Sequence, residues 1–211
     1  DLTDKDQIVN KDAVSMLVSL GIIEGKPDGS YGPTENVDRA QMAKMLSVIM
    51  NKGVDNSALY QSVNSGLVDV NTNWAKGHIN YCYTTGIIAG RGTGTFDPSA
   101  TVTALEAAKM LLVAVGYDPA IEGFEGADWA INVSVRADEQ GIFEGFTKDL
   151  SAPLNRDDAA LLIYNALDVE MIQSYTTNNY PIVYSDHRTI LSDKYGVIKV
   201  EGVVTANEWA I

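Results

Sequence analysis

Gly21-Ile22-Ile23-Glu24-Gly25 returns as Gly86-Ile87-Ile88-Ala89-Gly90 and again as Gly141-Ile142-Phe143-Glu144-Gly145. Eight residues after the second glycine stands a proline each time: Pro33, Pro98 and Pro153. Twelve residues before the first glycine stand Trp74 and Trp129 in the second and third copies, with Val9 at that place in the first. Self-similarity of this kind is the signature of a repeat architecture. It divides the chain into units at 1–52, 66–117 and 118–170, with 53–65 as a linker and 171–211 outside the pattern.

Each unit ends in the same kind of helix. From Asp38, Thr103 and Asn155 onward, apolar residues recur at helical spacing: Met42, Ala43, Leu46, Ile49 and Met50; Ala107, Ala108, Leu111, Ala114 and Val115; Ala159, Ala160, Ile163, Ala166 and Leu167. Such a stripe is the buried face of an amphipathic helix. Asp38, Thr103 and Asn155 are good N-caps, and Gln41, Glu106 and Asp158 three positions on complete capping boxes, the last with a shorter arm. Val37, Val102 and Leu154 precede the caps as hydrophobic staples. A shorter helix before each Gly-Ile pair is marked by Val14 and Leu17, by Ile79 and Cys82, and by Val133 and Ala137. A helix–loop–helix unit of about fifty residues cannot bury both helices alone, so the three are expected to share one axis. The expected fold is mainly α, three helix–loop–helix repeats in a pseudo-threefold bundle with a short β-rich C-terminal segment. Strands are expected only after about residue 175, at Tyr180–Tyr184 and Val197–Val204, opening a further domain of a longer protein.

Composition narrows the function. Of 211 residues 45% are apolar and 20% charged, and the net charge is −13. That balance fits a globular protein and disfavours nucleic acid, which needs a basic face, and anionic membrane surfaces. No apolar run approaches the ~20 residues that span a bilayer, so no membrane insertion is expected. Cys82 is the single cysteine, which excludes an internal disulfide. The first residues carry no basic-then-apolar signal, consistent with a cytosolic protein or with a secreted one after processing.

With the glycine motif, the aromatic-x-Pro turns Tyr31-Gly32-Pro33 and Phe96-Asp97-Pro98, and Val37-Asp38-Arg39-Ala40-Gln41, the chain resembles the S-layer homology repeat, in three copies over residues 1–170. Residues 199–208 are similar to the segment C-terminal to such repeats in some clostridial surface-layer proteins. The resemblance implies an extracellular location in the cell wall or surface layer. It also implies non-covalent anchoring to anionic secondary cell-wall polysaccharide, often through a pyruvate ketal. The residues themselves offer no catalytic constellation, so no enzyme activity and no cofactor are expected of them, and an enzyme held to the wall would lie beyond Ile211. The family's Thr-Arg-Ala-Glu-like signature is matched by Asp38-Arg39-Ala40-Gln41 and more loosely by Asn155-Arg156-Asp157-Asp158, so Arg39, Gln41, Arg156 and Asp158 are candidate ligand residues. The second copy reads Thr103-Ala104-Leu105-Glu106 and lacks the arginine.

Capping alone explains the outer members of that signature. The arginines it does not explain, because a cation at the first helical position opposes the macrodipole by ~0.3–1 kcal/mol. Two readings stay open: a carboxylate clamp aided by the N–H groups of the helix start, or an ion pair with a nearby acid. On the first reading, removing Arg39 or Arg156 weakens wall binding and leaves stability unchanged or slightly raised. Lys26 and Arg91 follow the second glycine and are either parts of an anionic-sugar site or solvated loop charge; Phe146 takes that place in the third copy. Trp74 and Trp129 are sugar-stacking platforms or, with more weight, core anchors. The groove at Ala104 is expected to rely on N–H groups and Arg91, to bind weakly or not at all, and to gain or strengthen a site on Ala104→Arg.

Other chemistry is thin. Asp69-Val70-Asn71-Thr72-Asn73 opens like a calcium loop without its later ligands, and Asp69 matches Asp4, which favours a turn or cap. His78 and Cys82 lie one helical turn apart without further ligands for zinc. No carboxylate pair stands out as the acid and base of a glycosidase. The alternative to wall anchoring is a surface-layer or filament subunit that assembles through contacts with copies of itself.

Overall fold

The helix starts form as their caps dictate in the computed structural model, which describes residues 2–200. Asp38 and Thr103 accept the backbone N–H of Gln41 and Glu106, whose side chains take the cap's own N–H in return. Asn155 accepts from the Asp158 N–H without the return bond. Three long helices follow: α2 (Arg39–Met50), α4 (Ala104–Val115) and α6 (Arg156–Ala166). Their stripes are buried except for Met50, which is half-buried. The short helices α1 (Lys11–Ser19), α3 (Lys76–Thr84) and α5 (Trp129–Glu139) bury the marker residues Val14, Leu17, Ile79, Cys82, Val133 and Ala137. Each is followed by a glycine at φ near +70 to +80°, Gly21, Gly86 and Gly141, where a side chain would be strained.

The helix pairs are made between repeats rather than within them: α2 packs on α3, α4 on α5, and α6 back on α1. The ring closes at its centre through the staple residues. The Val37 N–H donates to the Leu154 carbonyl (2.8 Å), Leu154 to Val102 (2.7 Å) and Val102 to Val37 (2.9 Å). These three backbone bonds, on side chains about 1% exposed or less, mark the pseudo-threefold axis. The flanking residues add single antiparallel bridges, Asn36 with Asn155, Asp38 with Thr101 and Thr103 with Pro153. Pro153 therefore occupies the register of Asn36 and Thr101. Leu150, not Pro153, is the counterpart of Pro33 and Pro98, because its carbonyl receives the second N–H of a neighbouring long helix as theirs do.

The linker is docked. Its 3₁₀ turn Ser57–Tyr60 lies on α3, where a Cβ on Gly77 would stand 2.1 Å from the Ser57 carbonyl oxygen. After the third lobe come β1 (Ile172–Tyr175), antiparallel to β2 (Pro181–Val183), then α7 (Ile190–Tyr195). Strand structure thus begins at 172, earlier than expected, and one short hairpin carries all the named strands among the described residues. Residues 197–200 form no strand, and the rest of the expected second strand lies outside the described residues. Ile190 and Leu191 are buried against the bundle, and the Tyr195 hydroxyl donates to the Ile49 carbonyl (3.2 Å).

Candidate functional site

Because helix starts of one lobe meet loops of the next, the first-turn N–H groups are already taken. Those of Arg39 and Ala40 donate to the carbonyls of Ala100 and Pro98, those of Arg156 and Asp157 to Glu35 and Pro33, and that of Leu105 to Leu150. The expected anion-binding N–H cluster is therefore engaged between lobes. What remains for a ligand is side chains.

Arg39 leaves its helix to enter the second lobe. Its Nε donates to the Phe96 carbonyl (2.8 Å), one Nη to the Ala89 carbonyl (2.8 Å), and its guanidinium lies 4.3 Å above the Phe96 ring. Arg156 does the same in the first lobe, with Nε on the Tyr31 carbonyl (2.8 Å), an Nη on Glu24 (3.3 Å), and the guanidinium 4.8 Å from the Tyr31 ring. Neither is held by a carboxylate, so the ion-pair reading gives way to a clamp on carbonyls over an aromatic shelf. The shelves are themselves fixed. The Asp4 carboxylate accepts the N–H of Tyr31 and Gly32, each at 2.8 Å, and Asp69 accepts those of Phe96 (2.9 Å) and Asp97 (2.7 Å). Asp69 is thus a loop staple in the register of Asp4. Burial, and next the charge of Arg91, draw the Arg39 pKa down to about 10, leaving it cationic at neutral pH.

Two matched grooves result. The first, about 440 Å³, is walled by Ile22–Lys26 and by Gln41, Lys44 and Met45 of α2, with Arg156 from the third lobe and Trp74 before α3. The second, about 580 Å³, is walled by Ala89–Gly92 and by Glu106, Lys109 and Met110 of α4, with Arg39 from the first lobe and Trp129. Both tryptophans stand at groove walls. Trp74 is 58% exposed, edge-on to His78, and Trp129 is half-buried beneath the Lys109 ammonium at 5.7 Å. Trp129 packs partly buried against the core, as an anchor would, whereas Trp74 stands largely in solvent and anchors no core. Lys26 pairs with Glu35, Lys44 with Glu24 (2.8 Å) and Arg91 with Glu106 (2.9 Å). Gln41 Oε1 accepts the Asp38 N–H.

The third interface is built differently. Where the other two have an arginine it has Ala104, where they have a loop cation it has Phe146, and where they have a helix lysine it has Leu161. Lys148 replaces the aromatic shelf and pairs with Asp158, Phe124 replaces the aspartate staple, and Val9 replaces the tryptophan. Asp158 therefore lies in this interface, apart from Arg156. Arg91 lies in the groove of Arg39, so it does not serve Ala104 as expected. His78 hydrogen-bonds Ser47 (2.6 Å) beneath Trp74, and the buried Cys82 thiol contacts the Ala43 carbonyl (3.4 Å).

The three lobes form a closed ring in which two arginines cross into neighbouring loops, and residues 1–43 and 68–108 match the S-layer homology domain family. The chain carries S-layer homology domains at those two segments, and the third lobe repeats their short helix, loop and long helix. It is 31% identical over 170 residues to a cell surface protein of Thermoanaerobacter kivui, covering 80% of this chain and 21% of that protein. It is 33% identical over 113 residues to an S-layer protein of Bacillus licheniformis (54% and 12%) and 30% identical over 173 residues to an amylopullulanase of Thermoanaerobacterium thermosulfurigenes (75% and 9%). The chain spans about a fifth or less of the length of these relatives, and its match to the enzyme is to an S-layer homology portion. Family and relatives indicate a place outside the cell, in the cell wall or surface layer. Among the described residues no helix is long and apolar enough to cross a membrane.

Proposed function

We propose that the three lobes, divided at 1–52, 66–117 and 118–170, anchor a surface protein non-covalently to the wall by binding an anionic secondary cell-wall polysaccharide in the first two grooves. The observation that carries this reading is the two-fold recurrence of one constellation: an inter-lobe arginine on an aromatic shelf, a loop cation and a tryptophan at the wall. The free guanidinium N–H groups of Arg39 and Arg156 receive a carboxylate, such as that of a ketal-linked pyruvate. Lys26 and Arg91 exchange their Glu35 and Glu106 partners for the ligand, Gln41 offers its amide group, and Trp74 and Trp129 stack on sugar rings. The third interface has none of these cations and takes no part.

Sedimentation with purified Gram-positive sacculi tests the reading. The protein should pellet with sacculi that keep their secondary polymer and stay in solution with sacculi stripped of it. Equal retention on both, unaffected by Arg39→Met with Arg156→Met, would favour a surface-layer subunit held by contacts with copies of itself.

A further inference from the structure

We infer that Lys44 and Lys109, one helical turn beyond the capping boxes of α2 and α4, are ligand-binding cations of the first and second grooves, and that the ligand therefore presents anionic or strongly accepting oxygens at more than one point. This rests on the proposed anionic-glycan reading and deepens it. The ordinary alternative is that each lysine is a solvated helix residue, Lys44 with a surface partner in Glu24.

Three observations favour a ligand role. Both lysines stand in the wall of a groove that also holds an inter-lobe arginine and a loop cation. The third interface, which lacks the arginine and the loop cation, also lacks the lysine and has Leu161 in that register. Helix propensity and solvation act at each position separately and give no reason for all three cations to disappear together. In the second groove, moreover, like charges are kept close. Arg39 feels the repulsion of Arg91, and Lys109 that of Arg39, while Lys109 is partly buried over Trp129 with Glu125 its acidic neighbour. Gathered cations in a protein of net charge −13 are an arrangement that an anion relieves.

The test is Lys44→Met with Lys109→Met, measured for binding to sacculi that retain their secondary polymer at 50 and 300 mM salt. A control of equal charge, Lys5→Met with Lys11→Met, lies outside both grooves. The lysine pair should lose on the order of tenfold in affinity and show a shallower salt dependence than wild type, with the control near wild type. Lys44→Arg with Lys109→Arg keeps charge and helix and should bind within about threefold of wild type, which separates a binding role from a folding defect. Binding by the methionine pair equal to the control, or no recovery in the arginine pair, overturns the inference. If Arg39→Met with Arg156→Met abolishes binding while the methionine pair matches the control, the anchoring reading stands without Lys44 and Lys109. If wild type itself does not bind, both fall.

Discussion

Removing the Arg39 side chain leaves the carbonyls of Phe96 and Ala89 without their donors and uncovers one face of the Phe96 ring. Bonds from a charged donor contribute about 1.5–3 kcal/mol each when buried, and stacking adds a little more. Only the Nε bond is fully buried, so Arg39→Ala should lose about 2–4 kcal/mol by urea unfolding, and the more exposed Arg156→Ala less. This replaces the expectation of unchanged stability, which considered only the helix dipole. The aspartate staples carry a pH signature of known sign. Backbone N–H groups of Tyr31 and Gly32 hold the Asp4 carboxyl below its ordinary value of 3.8, and at Asp69 burial pulls upward but the N–H groups of Phe96 and Asp97 outweigh it to the same end. A depressed folded pKa contributes stability above the unfolded value, lost as pH falls through the folded one. Asp157 is opposite: burial raises it despite bonds from the Val9 and Asn10 N–H groups, so it gains relative stability on acidification. Unfolding free energy measured from pH 5 down to 2.5 should fall, and Asp69→Asn should be less stable at pH 5 and flatter below pH 4.

At the scale of elements, the caps are separable from the site. Thr103→Ala removes a capping bond at the long-helix start that has Ala104 in place of an arginine, and should cost about 1 kcal/mol in thermal unfolding without altering wall binding. The long helices were legible because caps and stripe phase agreed three times over. The pairing of α2 with α3 was not, since periodicity fixes which face is buried and says nothing about which repeat covers it. Pro153 falls out of register with Pro33 and Pro98 because the third loop is shorter between Gly145 and Leu150 and the cap, not the glycine, sets the register. Trp74 and Trp129 stand before or at a helix start, where helical phase gives no inward or outward sense. β1 offers one buried residue, Ile172, and α7 is under two turns, too short for periodicity. The third interface changes the expectation for Ala104→Arg. The new guanidinium would meet the Lys148 ammonium where Tyr31 and Phe96 offer a ring. That single substitution should leave binding stoichiometry at two per chain by calorimetry with a solubilised anionic wall fragment, and an added third site would show that the shelf is dispensable.

Across the whole molecule the lobes have no separate cores, because every helix pair joins two repeats and α6 closes onto α1. Residues 2–170 should unfold in one transition, and a fragment of residues 1–65 should show little helical circular dichroism, since α2 has lost α3 and α1 has lost α6. The arginines follow the same handed circuit: the first repeat arms the groove of the second, the third arms the first, and the second leaves the third unarmed. Each armed groove is therefore spread over all three repeats, with the arginine from one, the loop and helix cations from the next and the tryptophan from the remaining one. Exchanging one whole repeat for that of a relative carries an arginine away from the shelf and loop it evolved with, and puts a foreign arginine on the shelf left behind. Chimaeras spliced inside the repeat, just before the cap at Asp38 or Thr103, would instead keep each helix start with the short helix it packs on and with the neighbouring loop its arginine enters. The stretch that keeps an arginine with its shelf is thus offset from the unit of sequence repetition.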